Sequence, residues 1–564
     1  MGGRRRFIAH TGLGILGAAC GDDDGGVEPD GSLDAALDGA DASEDMALEA
    51  TMDAGVDMAE PDMAMLEPAP VPTIPFGFGF GVASGDPLPN AVIVWTRYLP
   101  EDGEALSVQW EVSETSTFDT LAASGEAMAA PERDFTVKVD VMGLRPGTVY
   151  FYRFVRDAEQ SLVGRARTAA ATADSVRFGV VSCSNYARGY FHVYRHLAER
   201  NDLDAVLHLG DYIYEYGDRP ADLRLSDPPV EIVDLDAYRR RYQLYRLDPD
   251  LQALHQQHTT ISVWDDHESA NDAWRDGAEN HTPDEGEWAA RRSASVQAYF
   301  EWMPIREIDG DRVWRRFDFA GLVRLLMLDT RLWGRDEQPE PGDENEARSL
   351  LGDDQEAWLL EQLEGDGPAW KVLGQQVMFG HWNGPGRGGT FVPFNLDQWD
   401  GYRQVRARLF DAFESAGDVV VLTGDIHSHW ALELTRDPND PEVYDPATSR
   451  GSVGVEFVTS AVTSSGVPGA GSALTDILFD NNPHMRYINL SLRGYTLVDV
   501  TAARTQTDYV VIDGIGPFQG EQTVERSFTV AAGETRLEEA TPLVEGPSVE
   551  PAPNTPARGH LPEG

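Results

Sequence analysis

Four apolar runs in this chain each end in a cluster of polar or metal-binding residues, and that recurrence limits the fold more than any other feature. Run 176–181 leads into Ser182, Cys183, Ser184 and Asn185, and run 205–209 into Gly210, Asp211, Tyr212, Ile213 and Tyr214. Run 261–264 leads into Asp265, Asp266, His267 and Glu268, and run 419–422 into Thr423, Gly424, Asp425, Ile426 and His427. Short apolar runs of this kind fit buried strands. In open α/β sheets the loops beyond the strand carboxyl ends converge on one crevice. Thiol, carboxylates, phenol and imidazole delivered together there can hold two metal ions, which points to a hydrolytic metalloenzyme.

The rest of the chain fits that fold class. From residue 176 onward, strands alternate with helix-periodic stretches at 191–200, 235–245, 289–300 and 355–363. Strand-rich segments follow at 323–328, 453–459, 495–500 and 509–512. The rhythm predicts an α/β core in which a two-sheet sandwich is flanked by helices. Residues 76–170 differ, with short alternating strands at 92–95, 107–112 and 135–139 bounded by turn residues. The turn Leu144-Arg145-Pro146-Gly147, running into Val149-Tyr150-Phe151-Tyr152, resembles the tyrosine corner of an immunoglobulin or fibronectin type III sandwich. A multidomain chain is expected: an all-β sandwich over 75–170, a catalytic α/β domain over 175–535, and a Pro- and Glu-rich disordered tail over 536–564. The aromatic stripe of the sandwich is assigned to its core.

Charge and cysteine use narrow the function. The net charge is −50, and removing residues 1–70 still leaves −37, so nucleic acid is repelled and is not an expected partner. Residues 21–74 are acidic and of low complexity, the composition of a disordered linker. Only Cys20 and Cys183 are present, which rules out a disulfide framework. Arg4-Arg5-Arg6-Phe7-Ile8, a mildly apolar stretch and Gly17-Ala18-Ala19-Cys20 make residues 1–20 resemble a twin-arginine signal peptide with a lipoprotein cleavage box. The expectation is export to the periplasm or the outside of the cell, with membrane contact only through lipid on Cys20, and a monomer.

The clusters have a consistent donor chemistry. Asp211 follows an apolar strand, and Tyr214 lies one turn further on. A thiolate with a phenolate suits an oxidised, trivalent ion such as iron(III), to which His427 adds an imidazole. Asp266 and Asp425 offer hard oxygens for Ca²⁺, Mg²⁺ or Mn²⁺ at a neighbouring position. Two cations about 4 Å apart polarise a phosphoryl oxygen and activate water. His267 is placed to protonate the leaving oxygen.

Gly210-Asp211-x-x-Tyr214, Asp266-His267-Glu268 and Gly424-Asp425-x-His427 together resemble the calcineurin-like metallophosphoesterase pattern. The closer resemblance is to the PhoD-like alkaline phosphatase and phosphodiesterase family. It is carried also by Gly81-Val82-Ala83-Ser84-Gly85-Asp86-Pro87, Ser182 to Tyr186, Leu373-Gly374-Gln375-Gln376 and Asn482-Pro483-His484. The resemblance implies Fe³⁺ on Cys183, Asp211, Tyr214 and His427, and Ca²⁺ on Asp211, Asp266 and Asp425. It further implies hydrolysis of phosphate esters outside the cytoplasm, by attack of a metal-bound hydroxide. Cys183, Asp266 and Asp425 stand where the broader superfamily has Asp, Asn and His, which favours iron with calcium over Zn²⁺ or Mn²⁺. His381 is the one candidate for that pattern's remaining histidine.

Other residues receive supporting roles. Asp265 orients its neighbours, Glu268 serves as an acceptor that stabilises the fold, and Asn185 either meets phosphate or caps a helix. His484 either orients a ligand or is a satisfied core histidine. Arg387, in the Gly-rich stretch 384–389, is a substrate contact from a loop over the site. Two alternatives stay open. One is a phospholipase D-type phosphodiesterase, with Trp382 and Trp399 forming an apolar rim for lipid. The other is a non-catalytic calcium-binding surface lipoprotein.

Overall fold

The structure is a computed structural model that describes residues 67–557, apart from 309, 344–346, 366, 386–390 and 467–471. Two mixed sheets form its centre. The larger has ten strands, and its middle is the parallel set Ser175–Val181, Ala205–His208, Thr259–Ser262 and Val82–Leu88. The second has seven strands, with Val323–Met327, Trp370–Gly374, Val419–Thr423 and Ser452–Val458 running parallel. These strands are buried throughout or nearly so, which explains their continuous apolar runs.

The sheets pack face to face through one hydrophobic core. Phe178 of the first meets Phe319 of the second edge-on, with ring centroids 5.2 Å apart. On the other face of the first sheet, a Cβ on Gly179 would lie 2.7 Å from Leu197 of helix His192–Glu199. Helices Gly352–Glu364 and Arg403–Ala416 cover the far side of the second sheet through Leu359, Leu363, Leu409 and Phe413. The order is helix, sheet, sheet, helix, as the alternating rhythm predicts.

Three expectations are corrected. First, the disordered linker does not run to residue 74: Ala69 N–H donates to the Leu223 carbonyl and Leu225 N–H to the Ala69 carbonyl, each at 2.9 Å. Within residues 75–170, Val82–Leu88, Ala91–Arg97 and Thr136–Met142 extend the ten-stranded sheet through the pairing of Ser84 with Thr259. The other N-terminal strands form a five-stranded sheet that packs over them through Val94, Val112, Val137 and Phe154. The expected turn geometry is present, since the Arg145 N–H donates to the Tyr150 hydroxyl at 2.9 Å.

Secondly, the segment after 536 is held against the body through residue 557. Gly546 N–H donates to Asp202 at 2.9 Å, Ala552 N–H to Gln257 at 2.9 Å, and Arg195 donates to the Pro556 carbonyl at 3.0 Å. Its composition suggests disorder, but the short strand Glu538–Glu539 pairs with Gln522–Ala531, and hydrogen bonds to the body fix the rest. Thirdly, Trp382 and Trp399 are buried, stacked on Phe394 and packed against Phe379, so they form no apolar rim. Residues 1–66, which include Cys20 and most of the linker, lie outside the described residues, as does Arg387.

Candidate metal centre

The four predicted clusters meet. Cys183, Asp211, Asp425 and His427 all sit at strand ends with left-handed backbone, at φ of 60°, 54°, 65° and 52°. Such a conformation costs a non-glycine residue about 1–2 kcal/mol, and strained residues of this kind gather at functional sites. Gly210, at φ 110°, lies so close to the next loop that an added Cβ would stand 2.5 Å from the Asp265 nitrogen. That close approach brings Asp211 beside Asp266.

One group of donors comprises Cys183 Sγ, an Asp211 oxygen and an His427 ring nitrogen, all within 4.8 Å of one another. Tyr214 closes the group: its hydroxyl donates to Asp211 Oδ2 at 2.9 Å and lies 3.2 Å from His427 Nε2. His427 Nδ1 lies 2.8 Å from the Ser465 carbonyl, which directs Nε2 toward the cluster. Asp211 Oδ1 is buried with no hydrogen-bond partner. Burial raises the Cys183 thiol well above its usual pKa, and the Asp211 charge adds to this. Burial also raises Asp211, and the carboxylates of Asp265, Asp266 and Glu268 add to this against the opposing pull of His267. Soft and anionic donors crowded in a dry site, with an orphaned carboxylate oxygen, fit a bound cation, whose charge reverses these shifts.

Two further groups adjoin. Asp211, Asp266 and His267 present ligand atoms within 4.8 Å of one another, and so do Asp265, Asp266 and Asp425. Asp266 is held down to about 2: burial raises it, but Arg331 and His267 outweigh that. Asp425 is pushed up to about 7 by burial and by Asp397 and Asp266, despite Arg331. His267 Nδ1 pairs with the buried Glu215 carboxylate at 2.7 Å, and its ring stacks on Tyr214 with centroids 4.2 Å apart. Burial lowers His267, yet Glu215, Asp266 and Asp211 prevail and keep its pKa well above the usual imidazole range.

The supporting residues divide. Glu268 accepts from the N–H groups of Asp211, Tyr212 and Asp265 at 3.1, 2.7 and 2.8 Å, so it staples two site loops together. Asp265 accepts from Arg331 at 2.6 Å. Asn185 accepts from Ala187 N–H at 3.1 Å and, with Tyr214, lines a narrow crevice that Arg188, Tyr216 and Arg219 also line. His484 bonds the His381 carbonyl, and His381 faces Asp400, Arg406 and the Arg436 carbonyl. Both histidines belong to that buried polar group, away from the donor clusters. A cavity of about 830 Å³ beside it, lined by His381, Arg403, Arg406 and Phe410, contains none of Cys183, Asp211, Tyr214, Asp266, Asp425 and His427.

Sequence reading overlooked Glu215, Arg331, Asp397 and Ser464. Arg331 follows strand Val323–Met327 and Ser464 follows strand Ser452–Val458, so the strand-end rule, applied to every strand, finds both. Ser464 bonds the Tyr214 hydroxyl at 2.6 Å.

The sequence pattern of the PhoD-like phosphatase family matches residues 178–509, and that of its N-terminal domain matches residues 67–170. The chain belongs to the PhoD-like phosphatase family. Alkaline phosphatase D of Bacillus subtilis (strain 168) is 35% identical over 497 residues, covering 82% of each chain. A solved structure of PhoD superposes with a TM-score of 0.75 at 33% identity, covering 85% of this chain and 95% of that one.

Proposed function

We propose that this protein is an exported, metal-dependent phosphoesterase that hydrolyses phosphate monoesters and diesters. Membership of the phosphatase family supports a hydrolase of phosphoric esters. The observation that carries the metal reading is the meeting of Cys183, Asp211, Tyr214 and His427 around an orphaned carboxylate oxygen. These four residues would hold Fe³⁺, and Asp211, Asp266 and Asp425 would hold Ca²⁺. When bound, such ions supply Lewis acidity and lower the pKa of water at the site.

The chain's own residues do the rest. Glu215, held by Asn271 N–H at 2.8 Å and Asn280 at 3.2 Å, anchors His267 Nδ1, which leaves Nε2 to protonate the departing oxygen. Stacking on Tyr214 fixes the imidazole plane. Glu268 keeps the Asp211 and Asp265 loops in register, and Asn185 lines the approach.

The domain plan belongs to the same proposal: signal peptide 1–20, an acidic linker from residue 21 that ends before Ala69, an immunoglobulin-like sandwich over 75–170 and a catalytic domain over 175–535. The Tyr150 corner bond and the two-layer N-terminal core support the sandwich reading. Export, lipid on Cys20 and a monomeric state stand with it.

The test is to purify the protein, measure its metals and visible spectrum, and assay mono- and diesters with and without chelator. Iron with calcium, a phenolate-to-iron(III) band and chelator-sensitive turnover are expected. Zinc or manganese with full activity would overturn the roles of Cys183 and Tyr214.

A further inference from the structure

A short series of stacked side chains leads outward from the proton donor. The His267 ring meets Tyr216 edge-on, with centroids 5.2 Å apart, and the Arg219 guanidinium carbon lies 3.7 Å from the centre of the Tyr216 ring. A guanidinium on an aromatic face is attracted by the ring quadrupole. Two further contacts fix this segment. Arg219 N–H donates to Asp222 Oδ2 at 2.6 Å, and a Cβ added to Gly217 would stand 2.6 Å from Val230 Cα. The guanidinium is thereby placed about 9 Å or less from the imidazole, in the crevice that Tyr214 shares with the donor cluster.

That crevice is cationic in a chain whose net charge is −50. Arg188, Arg219 and Arg241 line it, and Asp222 is the one carboxylate among its lining residues. Arg188 Nη1 stands 3.8 Å from Asp222 Oδ1, and Arg241 donates to the carbonyls of Tyr214 and Pro228. The acidic surface as a whole repels anions, so any attraction for a second anionic group has to come from these side chains. An alcohol that takes its proton from His267 lies on the His267 side of phosphorus, toward Tyr216 and Arg219.

We propose that Arg219 determines specificity for the leaving group: it binds an anionic substituent, above all a phosphate, carried two or three carbons from the ester oxygen. Arg188 adds its charge to the same subsite. The substrates of this class are bisphosphates, and diesters whose departing alcohol bears a phosphate of its own. A guanidinium already occupies a face of Tyr216, so a choline-bearing alcohol meets a like charge there. The inference rests on the phosphoesterase reading above, with His267 as the acid.

The experiment compares the bisphosphate and the monophosphate of propane-1,3-diol, and phosphocholine, on the metal-loaded full chain at fixed free calcium. The wild type is expected to favour the bisphosphate over the monophosphate in kcat/KM about tenfold or more, since hydrogen bonds to a charged group are worth that much. This comes on top of the statistical advantage of its two equivalent phosphates. Phosphocholine should be the poorest of the three, and added salt should narrow the preference. Arg219→Gln is expected to reduce the bisphosphate-to-monophosphate ratio about tenfold, through KM for the bisphosphate. Arg219→Lys keeps the charge and should retain most of the ratio. Equal kcat/KM for the two propanediol esters in the wild type, or an unchanged ratio in Arg219→Gln, would overturn the proposal. Equal losses on both esters in Arg219→Gln would do the same, because they would mark a structural role. No turnover of any of the three esters would remove the phosphoesterase reading itself.

Discussion

Replacing His267 separates its chemistry from its contribution to stability. His267 and Glu215 form a fully buried pair at 2.7 Å. Breaking a buried pair by removing one partner costs about 3–5 kcal/mol. Glu215 keeps Asn271 N–H and Asn280 as donors, so His267→Asn should fall at the lower end, about 3 kcal/mol. Glu215→Gln added to it removes the stranded charge and should restore part of that loss. Catalysis should respond differently. A positioned general acid contributes about 10²–10⁴ in rate, and that factor applies only where the leaving oxygen needs a proton. His267→Asn should therefore lose about 10²–10⁴ in kcat on an alkyl phosphate. On a nitrophenyl phosphate, whose phenolate departs unprotonated, it should lose far less. The double variant should recover stability in a thermal melt and recover no alkyl phosphatase activity. Equal losses on the two esters would show that His267 does not protonate the leaving group.

Three further outcomes follow from the same geometry. Gly210→Ala places a Cβ 2.4 Å from Asp265 Cβ at a φ of 110°, so it should cost more than about 2 kcal/mol and displace Asp211, read as a lower melting temperature together with lost turnover. Ending the chain at residue 540 removes the bonds to Asp202, Gln257 and Arg195. At about 1 kcal/mol each it should cost several kcal/mol and speed amide exchange in helix Pro249–Gln257; unchanged exchange there would refute the bracing role. Burial lowers His208, His258 and His484 to about 3, so all three are neutral in the fold and protonate on unfolding below their ordinary value of 6.5. Their stabilisation is present above that value and lost as pH falls, with a combined slope of about 4 kcal/mol per pH unit near pH ~5. His258→Gln should reduce the proton uptake on unfolding by about one, and an unchanged uptake would refute the assignment.

The layered core was legible because buried parallel strands write themselves as continuous apolar runs. The elements at 205–209, 323–328 and 453–459 lie within a residue or so of Ala205–His208, Val323–Met327 and Ser452–Val458. The run 261–264 was read two residues late against Thr259–Ser262, because Val263 and Trp264 stay buried after the ladder ends. Joining of the N-terminal strands to the core sheet was not legible. Pairing of Ser84 with Thr259 spans 175 residues, and no local pattern encodes it. The same distance effect hid Arg331, whose carboxylate partners lie 66 and 94 residues away.

What the sequence could not state directly, it states through a mismatch. Left-handed turns at strand ends are cheapest for glycine, yet this chain puts Cys183, Asp211, Asp425 and His427 there. A side chain that glycine would lack is needed at each, at a cost to the backbone. Four such choices, all facing one buried crevice, are hard to explain by packing alone, since one of these side chains is a thiol and two are carboxylates that apolar packing would disfavour. The strain and the burial of charge are therefore borne by the same residues. A bound cation relieves only the second of these, so the loops should hold their left-handed turns with or without metal.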